Sequence, residues 1–174
     1  MKSRPGKNIS KFRTRDSFEC TVKTEWGYSK LIFSKKGLVA LSFPEFRRRN
    51  PKSFCPEYAG CKNICDQLKK YFKGVRMKFD CKINFDIFRP FERRVFKSIF
   101  RVPYGKVISY GQAAINIGNK NASRAVGNAL SKNPIPIIIP CHRIIHKDGT
   151  PGGFSAGMAL KKKLLKSESI RLIK

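Results

Sequence analysis

The sequence predicts a mixed α/β (α+β) chain in two parts, a small N-terminal antiparallel-sheet α/β domain and a mostly helical C-terminal domain with a helix-turn-helix. Three observations predict it. Short β-branched and aromatic runs broken by glycines fill the first quarter of the chain; apolar residues recur at helical spacing after Pro90; and a "GNKN" turn separates two short helix patterns beyond that. The 174 residues suffice for one ordinary domain or two small ones, and the change of pattern divides them into 1–87 and 88–174.

In order along the chain, "FECTVKTEWGYSKLIFSKKGLVALSF" (Phe18 to Phe43) breaks at Trp26-Gly27 and Lys36-Gly37, which reads as an antiparallel meander. The basic "PEFRRRNPKSFCPEYAG" has no periodicity and reads as a loop. "CKNICDQLKKYFKG" sets Ile64, Leu68, Tyr71 and Phe72 on one helical face and stops at Gly74. "VRMKFDCKINFDIF" alternates and is expected to be a further strand. Beyond Pro90, Phe91, Val95, Phe96, Ile99 and Phe100 share a helical face. Ser109 is an expected N-cap for a helix from Tyr110 to about Ile117, and Asn121 for a second helix, "ASRAVGNALSK". Together they make a helix-turn-helix. The second helix is smooth for a reader of base edges, with Arg124 its one long central side chain, so it suits close approach to a groove with Arg124 as a wedge. Its alanines equally suit packing against the domain.

Net charge narrows the partners. Lys and Arg number 38 against 11 acids, a formal +27, with a pI near 10.3. Such a field draws polyanions, because each neutralised phosphate releases counterions. Charge does not distinguish DNA from RNA. No apolar run approaches the ~18 residues of a membrane helix, and the basic start of the chain leads into no apolar segment, so a cytoplasmic protein without membrane attachment is expected. Of six cysteines, Cys55, Cys61 and Cys65 cluster, but without a CxxC pair or a nearby histidine this is a weak metal signature. No metal and no cofactor is assigned.

The chemistry concentrates in "NPIPIIIPCHRIIHKDG", Asn133 to Gly149, which reads as a buried strand ending on Pro140-Cys141-His142-Arg143. A reactive cysteine needs its thiolate stabilised, a base for its proton and a group to orient that base. Cys141 as nucleophile, His142 as base and Glu168, at the end of the helix "MALKKKLLKSESI", as orienter would meet that need. That helix is expected to turn Met158, Leu160, Leu164 and Leu165 inward. Neighbours on an extended strand face opposite ways, so Cys141 and His142 require a bridging water or a turn between them. Spacing alone leaves an activated thiol and a packed strand cysteine equally open.

Pro140-Cys141-His142-Arg143, preceded by "NPIPIIIP" and followed by "GGFSAG", resembles the active-site signature of the O6-alkylguanine-DNA alkyltransferases (methylated-DNA–protein-cysteine methyltransferases). The likeness runs through "VPYGKVISYGQAA" and "ASRAVGNAL" and covers residues 88 to 170 strongly. It implies direct repair: an irreversible, stoichiometric transfer of the alkyl group from O6 of guanine in double-stranded DNA to Cys141, with the nucleotide flipped out, by a monomer. It further implies that His142 and Glu168 form a water-mediated relay to Cys141 and that Asn133 braces the turn beside it. Tyr110 would rotate the nucleotide and bond the base, Arg124 would fill the gap in the stack, and Ala125 would lie at the DNA. Ile144, Phe154, Ser155 and Ala156 would form the guanine pocket. Phe154 stands where many members carry Tyr and Ala156 where some carry Gly, which bears on bulky adducts; acceptance of O4-alkylthymine stays open. The histidine-containing zinc site of some animal members has no counterpart, because no histidine precedes His142. A binding-only relative would lack the thiol, and a cysteine hydrolase would need an oxyanion loop that the sequence does not show.

Overall fold

A computed structural model describes residues 9–45 and 60–172. Most of the basic loop after Phe43, and Cys55 with it, lies outside the described residues. The chain divides into two compact units that meet in sequence between Ile87 and Phe88.

The first unit is built on an antiparallel meander, β1 (Phe18–Thr24), β2 (Gly27–Ser34) and β3 (Gly37–Leu41), in the order β1-β2-β3. Phe18 faces Phe33 and Val22 faces Ser29 across β1 and β2; the β2–β3 register slips at Ile32/Phe33. The meander is as the turn signals predict. β3 is buried along its whole length, which a sheet covered on one face would not show. Part of that cover is the 3-10 turn Ile9–Phe12, whose Ile9 packs with Ile32, Val39 and Ala40. Helix α1 (Cys61–Phe72) buries Cys61, Ile64, Cys65, Leu68, Tyr71 and Phe72, a stripe at helical spacing.

The expected strand over 75–87 does not form. That segment runs as coil, touches β3 in a single parallel bridge, Leu38 to Ile83, and ends in a 3-10 turn, Phe85–Ile87. Alternation supplies only a side-chain pattern, and a ladder also needs an edge to pair with. Here the contact is limited to two bonds, Leu38 N to Lys82 O (2.8 Å) and Asn84 N to Leu38 O (3.0 Å). Gly37, at φ 131°, permits it: a Cβ there would lie 2.3 Å from the Lys82 carbonyl oxygen.

The second unit begins with α2 (Pro90–Phe100), which has Pro90 in its first turn and buries Val95, Phe96 and Ile99. Next comes the short β4 (Ile108–Ser109) and then α3 (Tyr110–Asn116), capped as expected by Ser109 Oγ accepting from Gln112 N at 3.0 Å. α4 (Ser123–Ser131) completes the helix-turn-helix, but Asn121 is not its cap. Ala122 holds that position, because the turn closed by Ala122 N to Asn119 O (3.0 Å) uses Asn121 as its interior. The apolar run before Cys141 is buried but is not a strand. Residues 134–139 form tight turns with Ile137 at φ 74°, a left-handed conformation rare for a β-branched side chain. Pro134 and Pro136 offer no N–H to a ladder, which is why an apolar run here coils instead. A 3-10 turn, Cys141–Arg143, leads into β5 (Ile144–Ile145), parallel to β4, and the described chain closes on α5 (Met158–Ser167). α5 buries Lys161, Leu164 and Leu165, while Met158 and Leu160 are half-buried. The expected inward set misses Lys161 because apolarity alone picks the face.

Candidate functional site

A cavity of about 520 Å³ opens in the second unit between α3, α4 and the loop 153–155, within the range of small-molecule and base pockets. Cys141 is among the residues lining it although it is only 7 % exposed. Tyr110, Arg124, Phe154 and Ser155, each named from the sequence, also line it. So do Gly153, in the "GGFSAG" loop that the resemblance assigns to the pocket, and Ser123, Gly127, Leu130, Ser131 and His146, which sequence reasoning did not single out. Gly127 was legible as a small residue one helical turn from Arg124; His146, beyond the motif, carried no signal.

The other expected residues are placed differently. Ala125 is exposed on α4 beside Arg124, off the cavity wall. Ile144 is fully buried and Ala156 half-buried, and neither lines the cavity. Asn133, His142 and Glu168 are buried behind it.

Asn133 fixes the thiol. Its Oδ1 accepts from Ile135 N (3.0 Å), an Asx turn that bends the proline-rich run, while its Nδ2 donates to Ile139 O (2.8 Å) and toward Cys141 Sγ (3.2 Å). An N–H donor aimed at sulfur favours negative charge there. The 3-10 turn also resolves the adjacency of Cys141 and His142: successive residues on it are about a third of a turn apart rather than opposed.

Behind the thiol lies a buried ionic cluster. His142 Nε2 meets Glu168 Oε1 at 2.9 Å; Arg143 forks onto the same carboxylate through Nε (2.8 Å) and NH2 (2.9 Å) and donates from NH1 to Val102 O (2.6 Å). The Gly105 amide adds a bond to Glu168 Oε2 at 3.3 Å. Burial pushes the Glu168 carboxyl up, but the bonds from His142 and Arg143 outweigh it and hold the group down at about 2. Glu168 is therefore a carboxylate that only accepts, so His142 Nε2 carries the proton it donates. Burial pushes His142 down against the pull of Glu168, which keeps the ring neutral and leaves Nδ1 as a bare acceptor. Nδ1 is buried and has no hydrogen-bond partner among the described residues.

Two further side chains shape the pocket. Lys161, fully buried, donates to the carbonyls of Ile144 (2.5 Å) and Pro151, tying α5 to the segment after the motif. Burial, opposed by Cys141, brings its ammonium down to about 8. Tyr110 donates to Gly153 O at 3.4 Å and rests tilted against His146, ring centroids 5.3 Å apart. Gly152, at φ 65°, lets the loop close on that ring: a Cβ there would lie 2.9 Å from Tyr110 Cε2. α4 turns Val126, Ala129 and Leu130 inward and Arg124, Ala125 and Asn128 outward, so its small residues serve both faces. No helix among the described residues is long and apolar enough to cross a membrane.

Known proteins resemble this chain over most of its length. Residues 90–170 match the family described as 6-O-methylguanine DNA methyltransferase, DNA binding domain. A methylated-DNA–protein-cysteine methyltransferase of Saccharolobus islandicus (strain M.16.27) is 39% identical over 153 residues, 86% of this chain and 94% of the relative. One from Methanosarcina barkeri is 37% identical over 87% of this chain and 96% of its own length. Among solved structures, Mycobacterium tuberculosis OGT in complex with DNA superposes with a TM-score of 0.73 at 33% identity, covering 87% of this chain and 92% of that one. Matched by the family model over its second unit and by relatives at 37–39% identity over nearly their full length, the chain belongs to the methylated-DNA–protein-cysteine methyltransferase family.

Proposed function

We propose that this protein repairs alkylated DNA directly, moving the alkyl group from O6 of a flipped-out guanine in double-stranded DNA onto Cys141, once per molecule and as a monomer in the cytoplasm. Residues 88–174 would carry the helix-turn-helix and the acceptor. The observation that carries this reading is the thiol of Cys141 on the cavity wall, braced by Asn133 and backed by a neutral histidine with a bare nitrogen.

The chemistry follows from those groups. The Cys141 proton passes through a bridging water to His142 Nδ1, and the imidazolium is held by Glu168. The sulfur electron pair forms a bond to the alkyl carbon as the carbon–O6 bond breaks. The electrons of the broken bond stay on guanine, which is steadied by hydrogen bonds from Tyr110 and Ser155 and takes up the proton that the thiol gave up. The thioether has no hydrolysable bond, so the protein is consumed. Phe154 would wall the base and the Cys141 backbone would read its edge. Arg124, exposed on α4 with Ala125, would fill the stack the base leaves. The +27 charge supplies a strongly salt-dependent attraction to the duplex.

Duplex containing O6-methylguanine should add one methyl to the intact protein, mapped to Cys141, and then stop. Turnover beyond one equivalent, or methylation that survives Cys141→Ala, would sink the proposal.

A further inference from the structure

The first unit contains a second cluster of thiols that alkyl transfer does not use. Cys61 and Cys65 sit four residues apart on α1 and so share a face, and β1 presents Cys20 to that face. The three Sγ atoms lie within 4.8 Å of one another, with Cys20 and Cys65 at 3.2 Å. Cys20 and Cys61 are wholly buried and Cys65 is 4 % exposed. No histidine or carboxylate belongs to the group.

We infer that this trio is a binding site for one soft, thiophilic d10 cation of the zinc or cadmium kind. Three sulfurs about 2.3 Å from a common ion stand about 3.8 Å apart, so the closest pair, at 3.2 Å, must spread by about 0.6 Å and the others, within 4.8 Å, adjust to the same spacing. Thiolate donors without oxygen or imidazole select soft metals. The slight opening at Cys65 gives the ion its entry and leaves room for a fourth, exogenous ligand. In the metal-free cluster the neighbouring Cys65, then burial, then Cys61 push the Cys20 thiol up. A bound cation reverses that, releasing protons as it binds. Along the sequence the only hint was Cys61 and Cys65 on one helix; the third donor comes from a strand some forty residues earlier and is brought close only by the tertiary fold.

The test uses the full chain carrying Cys141→Ser, so that the acceptor thiol cannot contribute, titrated with cadmium ion under reducing conditions. Expected is one equivalent bound, with a thiolate-to-cadmium charge-transfer band and a cadmium-113 resonance at a position typical of three sulfur ligands. Cys20→Ala, Cys61→Ala and Cys65→Ala should each abolish it, and Cys81→Ala, whose thiol lies outside the trio, should leave it intact. Circular dichroism checks that each variant is folded. Should a variant fail to fold, the reading moves to the parent protein, whose melting temperature should rise with cadmium. Absence of binding, equal loss in Cys81→Ala, or a Cys20–Cys65 disulfide in the protein as purified would overturn the inference.

Discussion

The two units bury different things. In the N-terminal one, the buried polar residues are Thr24, Ser29 and Asn84, all neutral, set among Leu31, Ile32, Leu38, Leu41, Ile64 and Leu68. The C-terminal unit buries His142, Arg143, Lys161 and Glu168 with Asn133. A buried ion cluster is a poor route to stability, since desolvation offsets most of the attraction. Its presence beside Cys141, and the absence of a counterpart among the described residues of the other unit, marks where the chain gives up stability to hold chemistry in place.

Breaking the cluster should therefore have the largest effect. Glu168→Ala leaves Arg143 buried without its carboxylate and should cost about 3–5 kcal/mol in urea denaturation, and it should slow transfer to Cys141 in the fraction that stays folded. Leu68→Ala in the N-terminal core should cost a comparable or slightly smaller amount, about 2–5 kcal/mol, yet leave the rate constant of Cys141 methylation in the folded fraction unchanged. Equal loss of rate in both would erase the contrast between the units.

Acid should sharpen it. Glu168, ionised down to about 2 when folded against 4.5 otherwise, contributes stability on the order of 3 kcal/mol that is present above pH 4.5 and lost as pH falls toward 2. His142, held below its ordinary 6.5, adds to the same trend, because below that pH the unfolded chain takes up a proton the folded one refuses. Urea midpoints should fall as pH drops from 7 toward 2, and below pH 4.5 they should fall less steeply in Glu168→Gln; parallel slopes there would assign the acid sensitivity elsewhere.

Asn133→Ala strips Ile135 N of its side-chain partner and leaves Ile139 O with Cys141 N alone, and should cost about 1–3 kcal/mol together with a slower reaction of Cys141 with a free O6-alkylguanine base. Asn133→Asp, which keeps the acceptor but loses the donor toward sulfur, separates the two effects. Smallest in stability is Arg124→Ala, within about 0.5 kcal/mol because the side chain is exposed. It should nonetheless weaken repair of duplex far more than reaction with the free base; equal losses would remove Arg124 from flipping.

Where the structure departs from the sequence pattern, the departures are instructive. Ser109 was legible as a cap because that role is local, set by one hydroxyl and an amide three residues on. Asn121 failed in the same role because the turn before α4 is one residue longer than its composition suggests. The segment 75–87 alternates like a strand but finds one bridge on β3. The isoleucines before Cys141 are as buried as a strand would make them, yet Asn133 and two prolines fold them into turns. The loop that carries Cys55 lies outside the described residues.

By itself the sequence determined the meander, the helix-turn-helix and the Cys141-His142 motif, because each is written in residues a few positions apart whose periodicity or capping acts locally. The tertiary structure alone decided that Arg143 joins His142 on Glu168, that Lys161 turns inward, that His146 faces Tyr110, and that Cys20 meets Cys61 and Cys65. Those pairings join residues 15 to 45 positions apart or more, or reverse an apolar face, and only the closing of the chain on itself makes a buried charge or thiol affordable by giving it a partner.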